Sequence, residues 1–215
     1  MKVYFVRHGE SEYNAKSLFQ DGKVLLSEKG KQQAQVLAER FLNIPIDIII
    51  SSPYPRAKKT AEIINKKIKK KIIFSELIGE RKMPKETIGK YAYSDELIKI
   101  KDLMRKNAKN PSWYYSNEEN YSEFKKRIDK FFKYLNSLKE ENVLVVGHGG
   151  PIRMTILNIM FSGKDVDPEI YYKFNELFRI TNTGITMCER HKDGRWDLWT
   201  FNDINHLGEN IKNKQ

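Results

Sequence analysis

The chain opens on a short apolar run, Val3-Tyr4-Phe5-Val6, and breaks at once into Arg7-His8-Gly9-Glu10. A run of that length suits a buried strand, and the polar break places a loop at its carboxyl end. The pattern recurs. Ile46 to Ile50 is nearly all β-branched and ends in Ser51-Ser52-Pro53, and Val143 to Val146 ends in Gly147-His148-Gly149-Gly150. Such continuous apolar runs are typical of strands covered on both faces, which predicts a central parallel sheet.

Between these runs the spacing turns helical. Ser27 is an N-cap candidate ahead of Ala34, Leu37, Ala38 and Phe41, which predicts a helix over about 28–42. Pro53 and Pro55 open a second helix with Arg56 in its first turn. Lys66, Lys67, Lys69, Lys70 and Lys71 near that helix's end read as a solvated face that complements its dipole. A further helix over about 121–139 places Phe124, Ile128, Phe131, Phe132 and Leu135 on one side as core. Phe178 to Thr181, Ile185 to Arg190 and Trp196 to Phe201 read as closing strands, with Asp193-Gly194 as a hairpin turn. From about 76 to 118 turn formers and aromatics interrupt every period, which predicts a capping insertion where specificity is decided. The expected organisation is one domain over 1–207 and a polar, frayed tail over 208–215.

Composition changes this picture in two respects. Lysine and arginine number 39 against 28 acids, a balance of 39 − 28 = +11, so anionic ligands are expected. Cys188 is the single cysteine, so no disulfide forms within the chain. A reducing cytoplasm is then the natural compartment. The apolar run before Arg7 is too short for a signal-peptide core, and no stretch approaches the roughly 20 apolar residues that span a bilayer. A soluble cytoplasmic protein with no membrane partner is expected.

The candidate chemistry lies at the strand ends. Arginine grips two phosphate oxygens, histidine can attack phosphorus, and glycine lets backbone approach closely. Arg56 stands at a helix start just after a strand, facing the crevice where α/β proteins bind ligands. Two strands end in His-Gly. Two arginines, two histidines, Asn14 and a carboxylate from the insertion supply the parts for phosphoryl transfer through a histidine: a nucleophile, donors for the phosphoryl oxygens and an acid for the leaving group. That chemistry calls for no metal and no cofactor.

Arg7-His8-Gly9-Glu10 with Asn14, Ser51-Ser52-Pro53 with Arg56-Ala57 and Thr60-Ala61, and Gly147-His148-Gly149-Gly150 resemble the histidine phosphatase superfamily, also called phosphoglycerate mutase-like. Phe201-Asn202-Asp203-Ile204-Asn205-His206-Leu207 resembles its closing segment. The resemblance implies a three-layer α/β/α fold with a mostly parallel sheet. It implies His8 as the phosphorylated nucleophile and Arg7, Arg56 and His148, helped by Asn14, as the phosphate pocket. Glu80 matches the place of the proton donor, with Glu76 and Glu86 as neighbouring rivals. Gln20 keeps only a loose echo of the family pattern. Arg153 and His206 match it but are left outside the catalytic set, as supports of a helix start and the C-terminal edge.

These observations favour a cofactor-independent phosphomonoesterase acting on a small phosphorylated metabolite. The rivals are a phosphoglycerate mutase, a phosphoprotein phosphatase and, with little in its favour, a basic nucleic-acid-binding module using the lysine-rich helix end and Trp113-Tyr114-Tyr115. No nucleic-acid partner is expected, and the sequence leaves the natural substrate and oligomeric state open.

Overall fold

The computed structural model describes residues 1–208, so the predicted tail beyond Gly208 lies outside the described residues. In chain order the elements are β1 (Lys2–Arg7), α1 (Glu12–Ala15), α2 (Glu28–Phe41), β2 (Ile48–Ser51), α3 (Pro55–Ile68), β3 (Lys71–Phe74), α4 (Asp95–Lys106), α5 (Tyr121–Ser137), β4 (Asn142–Gly147), α6 (Gly149–Met160), α7 (Pro168–Leu177), β5 (Ile185–Arg190) and β6 (Trp196–Asp203). Short 3₁₀ turns cover Glu76–Ile78 and Lys85–Thr87.

The six strands form one sheet in the order β3-β2-β4-β1-β5-β6. The first four are parallel, and β5 and β6 are antiparallel additions at one edge. Alternation along the strands fills two cores. Val3, Phe5, Ile48, Ile50, Val143 and Val145 pack with Phe124, Ile128 and Phe131 of α5 and Ile156 of α6 on one face. Tyr4, Val6, Ile49, Leu144 and Val146 pack with Leu37 and Phe41 of α2 and Ala61 and Ile64 of α3 on the other. A residue period of two thus divides each strand between two helical layers, which gives the three-layer α/β/α arrangement. Because β4 inserts between β1 and β2, the carboxyl ends of these three strands meet in one crevice, the place where open α/β sheets bind ligands.

Local signals explain the elements that the sequence made legible. Ser27 caps α2 by accepting from Gly30 N–H, and Asn120 forms a reciprocal capping box with Glu123 at the start of α5. Strand β2 begins two residues later than the apolar run, at Ile48, although Asp47 N–H already donates to Asn142 O at 2.8 Å.

Three elements depart from the sequence expectation. Lys71 starts strand β3 and does not extend the preceding helix, because Lys69 adopts a left-handed conformation and stops α3. The insertion carries a regular helix, α4, capped by Ser94 and burying Leu97, Ile100 and Met104. Arg105 ties it to α7 through Glu169 and Glu176. Phe178 to Thr181 is not a strand. Its carbonyls are taken by arginines, with Arg7 Nη1 donating to Ile180 O at 2.7 Å and Arg153 Nε to Phe178 O at 2.8 Å. Thr181 N–H donates to Asn202 Oδ1 at 2.7 Å, so side chains satisfy the groups that a neighbouring strand would have paired.

Among the described residues no helix is long and apolar enough to cross a membrane.

Candidate active site

Strand β1 carries its ladder one residue past its end, where His8 N–H donates to Gly147 O at 2.9 Å. The chain then turns against α2. A side chain at Gly9 would collide with the backbone of Gly30, so this glycine serves the packing of the loop on α2 and not the approach of a ligand that its type suggested. Gly9 N–H donates to Thr60 Oγ1 at 3.1 Å, and Asn182 Nδ2 donates to His8 O at 2.8 Å. The loop is therefore held from three sides.

His8 is 1 % exposed, and both ring nitrogens have partners. Nδ1 lies 2.6 Å from Gly9 O, which can only accept, so Nδ1 carries the proton. Arg56 Nε donates to Nε2 at 3.2 Å, so Nε2 presents its lone pair. Burial first, then the positive fields of Arg56 and Arg7, hold the imidazole well below its ordinary pKa, against a smaller opposing pull from Gly9 O. The ring is neutral with one fixed tautomer, as an attacking nitrogen must be.

Three cationic or polar groups surround it. Arg7 at the end of β1 is half-buried, and burial followed by the field of Arg153 brings its guanidinium down to about 10, still charged at neutral pH. Arg56 in the first turn of α3 donates Nη1 to Asp21 O at 2.7 Å, whereas its buried Nη2 has no partner. His148 precedes α6 as its N-cap, and its ring stands 5.1 Å from that of His8. Its Nε2 meets Ser52 Oγ at 2.9 Å, and its buried Nδ1 has no partner. Burying unpaired polar atoms is unfavourable by about 1–3 kcal/mol each, so two of them beside one imidazole mark a site shaped for a ligand with several acceptors.

Glu80 reaches this cluster from the segment after β3. Its Oε1 accepts from Arg81 N–H at 3.0 Å, and a side chain at Gly150 would come within 2.5 Å of the same oxygen. The absent side chain at Gly150 thus leaves room for the carboxylate beside the first turn of α6. Of its rivals, Glu76 is exposed, and Glu86 is exposed and accepts from Ser116 Oγ. Asn14 stands further back. Its Oδ1 accepts from Ser11 N–H at 3.3 Å and from Asn182 Nδ2 at 3.3 Å, which links it to His8 through Asn182. Gln20 accepts from Ser11 Oγ at 2.7 Å, and His206 Nε2 meets Thr183 Oγ1 at 3.2 Å behind Arg7.

The structure therefore brings Arg7, His8, Arg56, Glu80 and His148 together from the ends of β1, β2 and β4 and the segment after β3, with Asn14 at one remove. Sequence reasoning missed three residues there. Ser52 orients His148. Asn182 fixes the carbonyl of His8 from within a polar run, Thr181-Asn182-Thr183, which carries no signal by itself. Tyr54 lies edge-on to His148 at 5.2 Å with the Arg56 guanidinium 5.5 Å from its ring centre, and its place between two prolines at a strand end was the available clue. Among the described residues no group of three or more His, Cys, Asp or Glu is arranged to hold a metal ion.

The family model described as histidine phosphatase superfamily (branch 1) matches residues 3–204. A Hydrogenobacter thermophilus protein bearing a phosphoserine phosphatase name is 35% identical over 158 residues, covering 72% of this chain and 76% of that one. An Escherichia coli protein bearing a phosphoglycerate mutase name, GpmB, is 30% identical over 218 residues, covering 96% and 95%. A solved phosphoserine phosphatase variant from Entamoeba histolytica, in complex with phosphoserine, superposes with TM-score 0.74 at 26% identity, covering 96% of this chain and 98% of that one.

Proposed function

The chain belongs to the histidine phosphatase superfamily (branch 1), and from that premise we propose that it hydrolyses small phosphomonoesters with His8 as the nucleophile. The observation that carries this reading is the neutral His8 imidazole with its Nε2 lone pair fixed beside two unpaired buried donors, Arg56 Nη2 and His148 Nδ1.

In the first step Nε2 of His8 bonds to phosphorus as the ester P–O bond breaks. Arg7, Arg56 and His148 take the equatorial oxygens, where charge builds in the transition state. Ser52 Oγ already accepts from Tyr54 N–H at 3.3 Å, so its own proton is free for His148 Nε2. That arrangement puts the ring proton on Nδ1, the nitrogen left as a donor for phosphate. Glu80 gives a proton to the departing alkoxide. In the second step water attacks phosphorus, the N–P bond breaks, the water proton passes to Glu80 and orthophosphate leaves. Asn14 acts through Asn182 to hold the His8 loop.

Trapping the labelled enzyme during turnover tests this directly. An acid-labile, alkali-stable phosphoryl group on His8 is expected by mass spectrometry, and turnover with the label on another residue would refute it.

The likeness to GpmB favours a second reading, a phosphoglycerate mutase that returns the phosphoryl group to its substrate. Conversion of 3-phosphoglycerate to 2-phosphoglycerate with little phosphate release would establish it in place of the phosphatase.

A further inference from the structure

Among the described residues the Glu80 carboxylate has one hydrogen-bond donor, the N–H of Arg81, the next residue along. The place of the carboxylate therefore follows the backbone of its own segment, and that backbone is tied down from α5. Arg127 of α5 donates Nη1 to Leu77 O at 2.7 Å and to Gly79 O at 2.9 Å. These carbonyls lie at the end of the 3₁₀ turn after β3, where the turn itself supplies no donors. The other two nitrogens of the guanidinium are spent on Glu119, with Nε donating to Oε1 at 2.6 Å and Nη2 to Oε2 at 2.7 Å. The backbone of Glu119 completes the frame. Its carbonyl accepts from Arg81 Nε at 2.9 Å, and its N–H donates to Lys82 O at 3.0 Å. Residues 79, 81 and 82 are thus fastened to one bidentate ion pair, with Glu80 between them.

A pair that served α5 alone would need neither the two carbonyls nor the side chain of Arg81. A bidentate fork also fixes angle as well as distance, so the carbonyls that Nη1 holds are set in direction. The side chains of Glu119 and Arg127 are only 13% and 20% exposed, which shields the pair from the screening that weakens surface bridges. The frame ends where the carboxylate stands. The guanidinium groups of Arg81 and Arg127 lie 5.7 and 5.3 Å from the centre of the Phe124 ring, and Phe124 Cζ and Glu80 Oε1 both border the space left by the missing side chain at Gly150.

We propose that Arg127 and Glu119 are positioning residues for the proton donor, setting where Glu80 stands relative to the leaving-group oxygen while touching neither substrate nor phosphate. This rests on the phosphatase reading above, with Glu80 as the acid. Proton transfer needs the donor within about 2.6–3.2 Å of that oxygen, so a small shift of the segment costs rate without weakening the phosphate pocket.

The test measures kcat/KM for phenyl phosphate and p-nitrophenyl phosphate, esters of similar shape whose leaving groups differ in basicity, on the full chain, Arg127→Lys, Glu119→Gln and Glu80→Gln. Arg127→Lys keeps a cation for Glu119 but loses the fork that reaches the carbonyls. It should lose about tenfold or more on phenyl phosphate and less than about threefold on p-nitrophenyl phosphate, which needs little protonation. Glu119→Gln keeps its shape and an acceptor for Arg127, should show the same asymmetry to a smaller degree, and reports the outcome should Arg127→Lys not fold. Adding Arg127→Lys to Glu80→Gln should cost no more than about twofold further, because the two act through one group. Equal losses on both esters, or losses that multiply fully in the double variant, would overturn the proposal and leave the pair as a structural strap. If Glu80→Gln shows the asymmetry and the Arg127 and Glu119 variants do not, only this inference fails. A wild type that releases phosphate from neither ester would sink the phosphatase reading and this one with it.

Discussion

Arg56 Nε stands 3.2 Å from His8 Nε2, with both side chains out of solvent. The arginine therefore does two things before any substrate arrives. It disfavours protonation of the nitrogen that we propose attacks phosphorus, and in that proposal it also marks where an oxygen of the incoming phosphate stands. On binding, the guanidinium has its unpaired Nη2 to offer, so the donor set shifts from imidazole to phosphate without the arginine leaving its seat.

Replacing His8 with alanine removes the proposed nucleophile and leaves both cores intact. Phosphate release should fall by at least ~10³-fold, because the remaining donors bind phosphate but cannot form the covalent intermediate. Circular dichroism and the thermal midpoint should stay close to the wild type. Substantial turnover by His8→Ala would end the proposed mechanism.

Glu80→Gln should discriminate between leaving groups. Alkyl phosphates depart as strongly basic alkoxides and should slow by about 100-fold, whereas nitrophenolate needs little protonation and should slow by less than about tenfold. Equal losses on the two would assign Glu80 to binding or structure.

Gly150→Ala offers an independent check on the same carboxylate. The new methyl would come within 2.5 Å of Glu80 Oε1 and push it off its position, although alanine is otherwise favourable in a helix. The variant should reproduce the leaving-group dependence of Glu80→Gln while unfolding at or above the wild-type temperature. Unchanged kinetics would mean that the observed Glu80 position is not the working one.

Stability should decline with acid in a specific window. Burial is the leading cause that holds His8 and His148 well below the ordinary imidazole pKa, and it brings His206 down to about 4. Unfolding returns each to about 6.5. As pH falls through that value the unfolded chain binds protons that the folded chain does not, so folding stability is lost from about 6.5 downward toward the folded pKa values. The urea midpoint should fall from about pH 7 to about pH 5, and His206→Gln should lessen the slope. A midpoint that rises on acidification would contradict the neutral buried state of these rings.

Much of this was legible in one dimension because the relevant physics is local. Apolar runs ending in Arg7-His8-Gly9, Ser51-Ser52-Pro53 and Gly147-His148-Gly149 are strand-to-loop breaks. Ser27 and Pro55 announce helices by backbone chemistry that needs no neighbour. The helix α4 was equally local, with Ser94 as its cap and Leu97, Ile100 and Met104 at helical spacing, but the turn formers on either side obscured it. Phe178 to Thr181 carries a strand-like pattern, and no local rule reveals that Arg7 and Arg153 claim its carbonyls.

The sequence alone thus determined which residue types stand at the ends of which strands, and with them the three-layer fold and the class of chemistry. Only the tertiary structure decided which of them meet. The insertion of β4 between β1 and β2 brings His8 and His148 to 5.1 Å, although they are far apart in the chain. It also selects Glu80 over its neighbours, because the missing side chain at Gly150 leaves a space that Glu80 fills. Distances between side chains remote in sequence depend on how whole layers pack, and no pattern along the chain encodes them one residue at a time.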